Sequence, residues 1–185
     1  MAPLRCTLVG MPGSGKSTVG RHLARRLDWA FVDMDQRLEQ LFGCTVRAFF
    51  DAHGEAAFRE RETQLLTELA HEGGAMVLST GGGVVLAEAN RTLLRAHCAP
   101  VFYLHATAHE LFQRLRHDSK RPLLQVADPQ ERLREIYATR DPLYRECASY
   151  VIETRRPTVS ALVNMVQMQL EMARPSQAMP ADQSS

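Results

Sequence analysis

Gly10-Met11-Pro12-Gly13-Ser14-Gly15-Lys16-Ser17 satisfies the pattern G-x-x-x-x-G-K-[ST], and it sits between an apolar run, Cys6 to Val9, and a segment of helical period. A strand, a glycine-rich turn and a helix in that order make a phosphate-binding loop. A phosphate chain needs several backbone N–H groups converging on it. Glycines permit both the dihedral angles and the close approach, and the following helix N-terminus adds partial positive charge. Lys16 is placed as a movable point charge for the β- and γ-phosphates, and the Ser17 hydroxyl is placed to ligate Mg²⁺. Motors, switches and small-molecule kinases all use such a loop. The Asn-Lys-x-Asp segment of a guanine-specific switch does not occur, and neither Met76–Ser79 nor Val101–Leu104 ends in the Asp-Glu of a motor ATPase.

Outward from the loop, short apolar runs alternate with longer helical stretches. The runs Cys6–Val9, Phe31–Asp33, Met76–Ser79, Val101–Leu104 and Tyr150–Ile152 predict five strands. Val19, Leu23 and Leu27 recur every fourth residue, and Leu65, Leu66 and Leu69 line one helical face. This β-α alternation predicts an α/β fold, a three-layer α/β/α arrangement on a parallel sheet. At 185 residues, with 45% hydrophobic and 23% charged side chains, the chain fits one domain over residues 1–173. The tail at 174–185 lacks Leu, Ile, Val and aromatic residues and reads as disordered.

Twenty-two basic against twenty-one acidic residues leave a formal charge of +1, which provides no global field for nucleic acid or an anionic membrane. No apolar run exceeds four residues, against the roughly 18 of a membrane span. The absence of an apolar segment before the loop predicts no secretory signal, so a cytoplasmic location is expected. Cys6, Cys44, Cys98 and Cys147 are widely spaced, without a C-x-x-C pair, and read as reduced, mostly buried thiols.

Several residues could select a substrate. Asp33 and Asp35 end the second strand two positions apart, and both project to one side if the chain is still extended there. One could help hold Mg²⁺ and the other accept a hydroxyl proton; alternatively, Asp35 caps a helix starting at Gln36. Arg59 has Glu55 four residues before it and Glu62 three after, which reads as a surface ion-pair ladder or as an oriented guanidinium for a carboxylate. Gly81, Gly82 and Gly83 follow the third strand and imply a tight turn or a ligand pressed on the backbone. The segment 117–129, with two prolines, reads as a loop between helices, in which Arg121 could meet the γ-phosphate of ATP or simply be solvated. Arg140 is expected to end a helix, where it could satisfy the last carbonyls. His105 and His109 lack the acidic residue between them that a zinc pair of this spacing requires.

The segments GMPGSGKST, DMD, HGEAAFRERE, STGGG, KRPLL and TRDPLY, in this order between about Leu4 and Met172, resemble the shikimate kinase family of aromatic amino-acid biosynthesis. The resemblance implies a nucleoside-monophosphate-kinase type of fold with strand order 2-3-1-4-5, a substrate region at about 35–62 and a lid at about 117–129. It implies transfer of the γ-phosphoryl group of ATP to the 3-hydroxyl of shikimate, with Mg²⁺ as cofactor. Gly13, Ser14, Gly15, Lys16, Ser17 and Thr18 would hold ATP, together with Arg114 near adenine, Arg121, and Arg155 or Arg156, of which Arg156 is preferred. Ser17 and Asp33 would organise the metal. Asp35, Arg59, Gly81, Gly82, Gly83 and Arg140 would bind shikimate, with Lys16, Asp35 and Arg121 as the catalytic set. The partners would be these two small molecules alone, and the protein a monomer. The competing readings are another small-molecule kinase such as gluconate kinase, or a non-catalytic nucleotide-binding module.

Overall fold

A computed structural model describes residues 5–116 and 126–173. The element order is β1 (Arg5–Val9), α1 (Lys16–Leu27), β2 (Ala30–Asp33), α2 (Met34–Phe42), α3 (Val46–His71), β3 (Met76–Ser79), a 3₁₀ turn (Val84–Leu86), α4 (Glu88–His97), β4 (Val101–His105), α5 (Ala108–Leu115), α6 (Pro129–Cys147), β5 (Tyr150–Glu153) and α7 (Val159–Ala173). The five strands form one parallel sheet in the order β2-β3-β1-β4-β5. β1, β3 and β4 are buried throughout, whereas β2 and β5 are partly exposed, as edge position requires.

The two-residue period of the strands sorts the core into two layers. Cys6 and Leu8 of β1 and Phe102 and Leu104 of β4 pack with Val19 and Leu23 of α1 and Val163 and Val166 of α7. Val9, Leu78 and Tyr103 face the opposite way, toward Met34, Leu66, Leu94 and Tyr144 on α2, α3, α4 and α6. Close approach of α1 to the sheet depends on Gly20, where a β-carbon would lie 2.7 Å from the Phe31 ring and 3.1 Å from Leu8. All five strands run in one direction, so their C-terminal ends collect the phosphate loop, the Asp33 turn and the glycine run at one edge.

α3 is itself two helices joined at Gly54, whose φ of 81° and ψ of 171° are non-helical: the first follows the Thr45 cap, and the one carrying Arg59 starts after Gly54. One expectation about a helix changes. α6 does not end at Arg140 but runs to Cys147 through Pro142. Asp-Pro looks like a stop because proline cannot donate its backbone bond. Burial of Tyr144 and Cys147 beyond it favours continuing the helix. The expected loop and lid at 117–129 lie largely outside the described residues, since only 126–128 precede α6, and the tail at 174–185 lies wholly outside them. Three of the four cysteines are buried, and Cys44 is exposed. No helix among the described residues is long and apolar enough to cross a membrane.

Candidate active site

The phosphate loop is built by three glycines with left-handed φ: Gly10 at 149°, Gly13 at 84° and Gly15 at 95°. A β-carbon on Gly10 would approach the Leu104 carbonyl to 2.7 Å, and one on Gly13 would meet the Leu115 side chain at 2.8 Å. The loop closes on itself through Ser14 N–H donating to the Met11 carbonyl at 3.1 Å. The Lys16 ammonium is buried and donates to the carbonyls of Gly10 at 2.8 Å and Met11 at 3.0 Å. Ser14 Oγ is buried without a hydrogen-bond partner among the described residues. A buried polar oxygen left in this way fits a loop shaped to receive polar ligand atoms. Thr18 is exposed in the first turn of α1.

Beside the loop, Ser17 Oγ donates to Asp33 Oδ2 and lies 3.4 Å from Ser79 Oγ. Asp33 is the N-cap of α2, its Oδ1 accepting from the backbone of Asp35 at 3.1 Å and Gln36 at 3.3 Å. The capping role considered for Asp35 therefore belongs to Asp33, because the helix begins at Met34, whose side chain is wholly buried, rather than at Gln36. The hydroxyl and carboxylate oxygens of Ser17 and Asp33 are hard donors side by side, a set that suits Mg²⁺.

Asp35 lies in the first turn of α2 rather than on an extended strand end, and it faces the glycine run. A β-carbon on Gly81 would come within 2.9 Å of Asp35 Oδ1 and 2.8 Å of Glu62 Oε1. A β-carbon on Gly82 would come within 2.8 Å of the Pro12 ring, and one on Gly83 would overlap the Arg59 guanidinium. None of the three has a left-handed φ. The run is glycine because protein side chains from three directions press on it, a reason that neither a turn nor a ligand alone supplies.

Arg59 is 23% exposed and donates to Glu62 Oε2 at 2.6 Å and to Glu55 Oε1 at 3.3 Å, with its guanidinium 5.2 Å from the Phe58 ring centre. Glu62 is 1% exposed, so this pair is not a solvated ladder. Burial pushes the Glu62 carboxyl above its ordinary range, opposed by the Arg59 charge and hydrogen bond; Asp35 adds to the rise and Arg140 opposes it. Glu62 therefore binds Arg59, shares its place beside Gly81 with Asp35, and lies within the field of Arg140. Arg140 is itself buried at mid-helix in α6, which also removes the capping role considered for it. Next to it a cavity of about 210 Å³ opens between α3 and α6, lined by Glu55, Leu86, Ile136, Thr139 and Arg140. A larger hollow of about 430 Å³ is lined by α4 alone and contains none of the candidate residues.

Beside the phosphate loop, Arg114 donates to the Gly13 carbonyl at 3.3 Å and to the Thr154 carbonyl at 2.9 Å, tying the loop to the segment after β5. Arg155 pairs with Glu110 at 3.1 Å, and Arg156 is exposed. Arg121 lies outside the described residues. His105 does not meet His109: its Nδ1 is 2.8 Å from the Glu153 carboxylate and its Nε2 is 2.7 Å from Tyr137 Oη. Two residues that the sequence reading left out of the site belong to its structure. In the sequence Glu62 reads only as a neighbour of Arg59, and Tyr144 in TRDPLY carries no role. The available signal is spacing, Glu62 three residues after Arg59 on α3 and Tyr144 four after Arg140 on α6, each pair on one face of its helix.

A phosphate loop at the tip of the first strand, facing a recessed set of two arginines and one carboxylate, defines a P-loop phosphotransferase acting on a small molecule. Comparison with known proteins makes the assignment narrower. The sequence model of the shikimate kinase family matches residues 12–171. The chain is 54% identical over 168 residues to a shikimate kinase of Paracidovorax citrulli, covering 90% of this chain and 91% of that one. It is 53% identical over 165 residues to one of Ralstonia nicotianae, with 89% and 86% covered. Its fold matches the solved shikimate kinase from Acinetobacter baumannii in complex with shikimate, at 42% identity and a TM-score of 0.83 over 92% of each chain. The chain belongs to the shikimate kinase family.

Proposed function

We propose that this protein transfers the γ-phosphoryl group of ATP to the 3-hydroxyl of shikimate. The observation that carries this reading is the glycine run itself, with Asp35 against Gly81, Arg59 against Gly83, Pro12 of the phosphate loop against Gly82, and the Arg140 helix tied to Gly82 through Tyr144. A small acid with one carboxylate and several hydroxyls calls for planar guanidinium groups and one carboxylate base. Arg59 and Arg140 clamp the carboxylate of shikimate, and the backbone of Gly81, Gly82 and Gly83 forms the wall beside its ring.

In the reaction the acceptor hydroxyl oxygen forms a bond to the γ-phosphorus while the bond to the ADP oxygen breaks, and Asp35 accepts the hydroxyl proton. Lys16 neutralises charge on the transferring group, and Arg121 has the same role by resemblance to the family. The loop residues Gly13 to Thr18 hold the phosphates, with Arg114 and Arg156 on the adenine side. Ser17 and Asp33 would hold Mg²⁺, which supplies Lewis-acid neutralisation of the phosphate oxygens when bound. Positioning and charge neutralisation account for most of the catalysis in this class. We further propose one kinase domain over 1–173, acting as a cytoplasmic monomer without nucleic-acid or membrane partners, consistent with its balanced charge.

A panel of acceptors with coupled detection of ADP tests this reading. Shikimate should support ADP formation and yield a phosphorylated product, with gluconate inert. Turnover on gluconate but not shikimate would replace the acceptor, and ATP binding without turnover on any acceptor would replace the enzyme with a binding module.

A further inference from the structure

The two substrate-side elements meet at one phenol. Tyr144 lies one helical turn beyond Arg140 on α6 and is wholly buried. Its hydroxyl donates to the carbonyl of Gly82, and the Arg140 guanidinium lies close enough to oppose the effect of burial on the phenol. Its ring packs on Tyr103 with centres 4.9 Å apart, while the Tyr103 hydroxyl takes a different partner, Asp141, at 2.8 Å.

The glycine run has no side chains with which to fix its own backbone, so its position must come from hydrogen bonds and from the groups pressed against it. Its flanking carbonyls are held locally: Gly81 accepts from Val84 N–H at 3.3 Å and Gly83 from Leu86 N–H at 3.0 Å. The middle carbonyl is the one tied across the site, to α6. Gly81 faces Asp35 and Gly83 seats Arg59, so a displacement of Gly82 moves both neighbours relative to Arg140.

We propose that Tyr144 is a positioning residue of the acceptor site: its hydroxyl, by holding the Gly82 carbonyl, sets the span between Arg140 and Arg59 so that both guanidinium groups reach one carboxylate. This rests on the reading of those two arginines as the carboxylate clamp. The hydroxyl touches protein groups only and takes no proton from the reacting atoms. Its loss acts on acceptor binding, and the ATP side, built by the phosphate loop and Arg114, is left in place.

Steady-state kinetics of Tyr144→Phe, Tyr103→Phe and Arg140→Ala, each checked by thermal unfolding, test the proposal. Both phenylalanine variants keep the ring that fills the core. Tyr144→Phe should raise the KM for shikimate about tenfold, with kcat and the KM for ATP within about twofold of the parent. Tyr103→Phe should leave the KM for shikimate unchanged, and Arg140→Ala should raise it further than Tyr144→Phe does. An unchanged KM in Tyr144→Phe, with a raised one in Arg140→Ala, would overturn the proposal and leave the clamp standing. An unchanged KM in Arg140→Ala would remove the clamp itself. An equal rise in Tyr103→Phe, or a parallel loss in kcat and both KM values in Tyr144→Phe, would show general loosening of α6 and overturn the positioning role.

Discussion

The guanidinium of Arg59 lies against Gly83 so closely that a β-carbon there would share its space. The third glycine of the run is therefore the seat of an arginine that comes from a helix more than twenty residues earlier in the chain. Mutational effects along the run should differ by position, because each glycine faces a different group.

At Gly83, φ is −94° and ψ is 0°, angles that alanine adopts, and the obstructed atoms are the far end of a flexible side chain. Gly83→Ala should fold while displacing Arg59, at a cost of about 1–3 kcal/mol because the buried Glu62 carboxylate loses its partner. The KM for shikimate should rise about tenfold with the KM for ATP unchanged. Kinetics together with a melting curve check both halves.

At Gly82 the obstructed group is the rigid Pro12 ring at 2.8 Å. Pro12 cannot rotate away, so the phosphate loop itself must shift. Gly82→Ala should raise the KM for ATP by at least as large a factor as that for shikimate, which titration with a nucleotide analogue would confirm as weaker binding.

Asp35 lies beside Gly81 in the first turn of α2 and, unlike Asp33, does not cap that helix. Asp35→Asn keeps the shape and removes the proton acceptor. Turnover should fall by about 10² to 10⁴-fold with ATP affinity nearly intact. Near-normal turnover would remove Asp35 from the catalytic role.

Glu62 has its carboxyl raised above the ordinary value of 4.5, with burial as the leading cause. The folded state then binds the Glu62 proton more tightly than the unfolded chain does. The resulting stabilisation is fully present below the unfolded value and is lost as pH rises through the folded one. Measured by denaturant titration, the stability of the parent relative to Glu62→Gln should fall as pH rises from about 4.5. A pH-independent difference would show that the Arg59 pair cancels the effect of burial, and a difference that grows as pH rises would show that it outweighs burial.

Gly54 interrupts α3 at φ 81° and ψ 171°, and a β-carbon there would meet nothing within 4 Å. Any cost of Gly54→Ala is backbone strain alone, about 1–3 kcal/mol. Thermal unfolding should show the loss without any cavity or clash to explain it.

The phosphate loop was legible from the chain because each of its requirements is local: glycine at left-handed positions, a lysine and a serine at the helix start. The five strands were legible too, to within a residue at each end: β1, β3 and β4 are apolar runs buried throughout, which leaves a continuous signal, and the partly exposed β2 and β5 stand out as short apolar runs between helical stretches. Arg140 was misplaced at a helix end because Asp-Pro is a local stop signal, and the burial that overrides it comes from distant residues. The exchange of capping roles between Asp33 and Asp35 has the same origin, since both are acceptable caps and packing of Met34 sets the first helical residue.

The amino-acid sequence by itself determined the phosphate chemistry, the α/β alternation and the inventory of arginines and carboxylates, because these depend on residue identity and on spacing within one turn or strand. Tertiary structure alone decided which of them work together: Arg59 on Gly83, Tyr144 on Gly82, and Glu62 bound to Arg59 with Asp35 beside it at Gly81. Several of these contacts join residues tens of positions apart, and they exist only after the sheet has stacked its strand ends at one edge and the helices have buried their apolar faces against it.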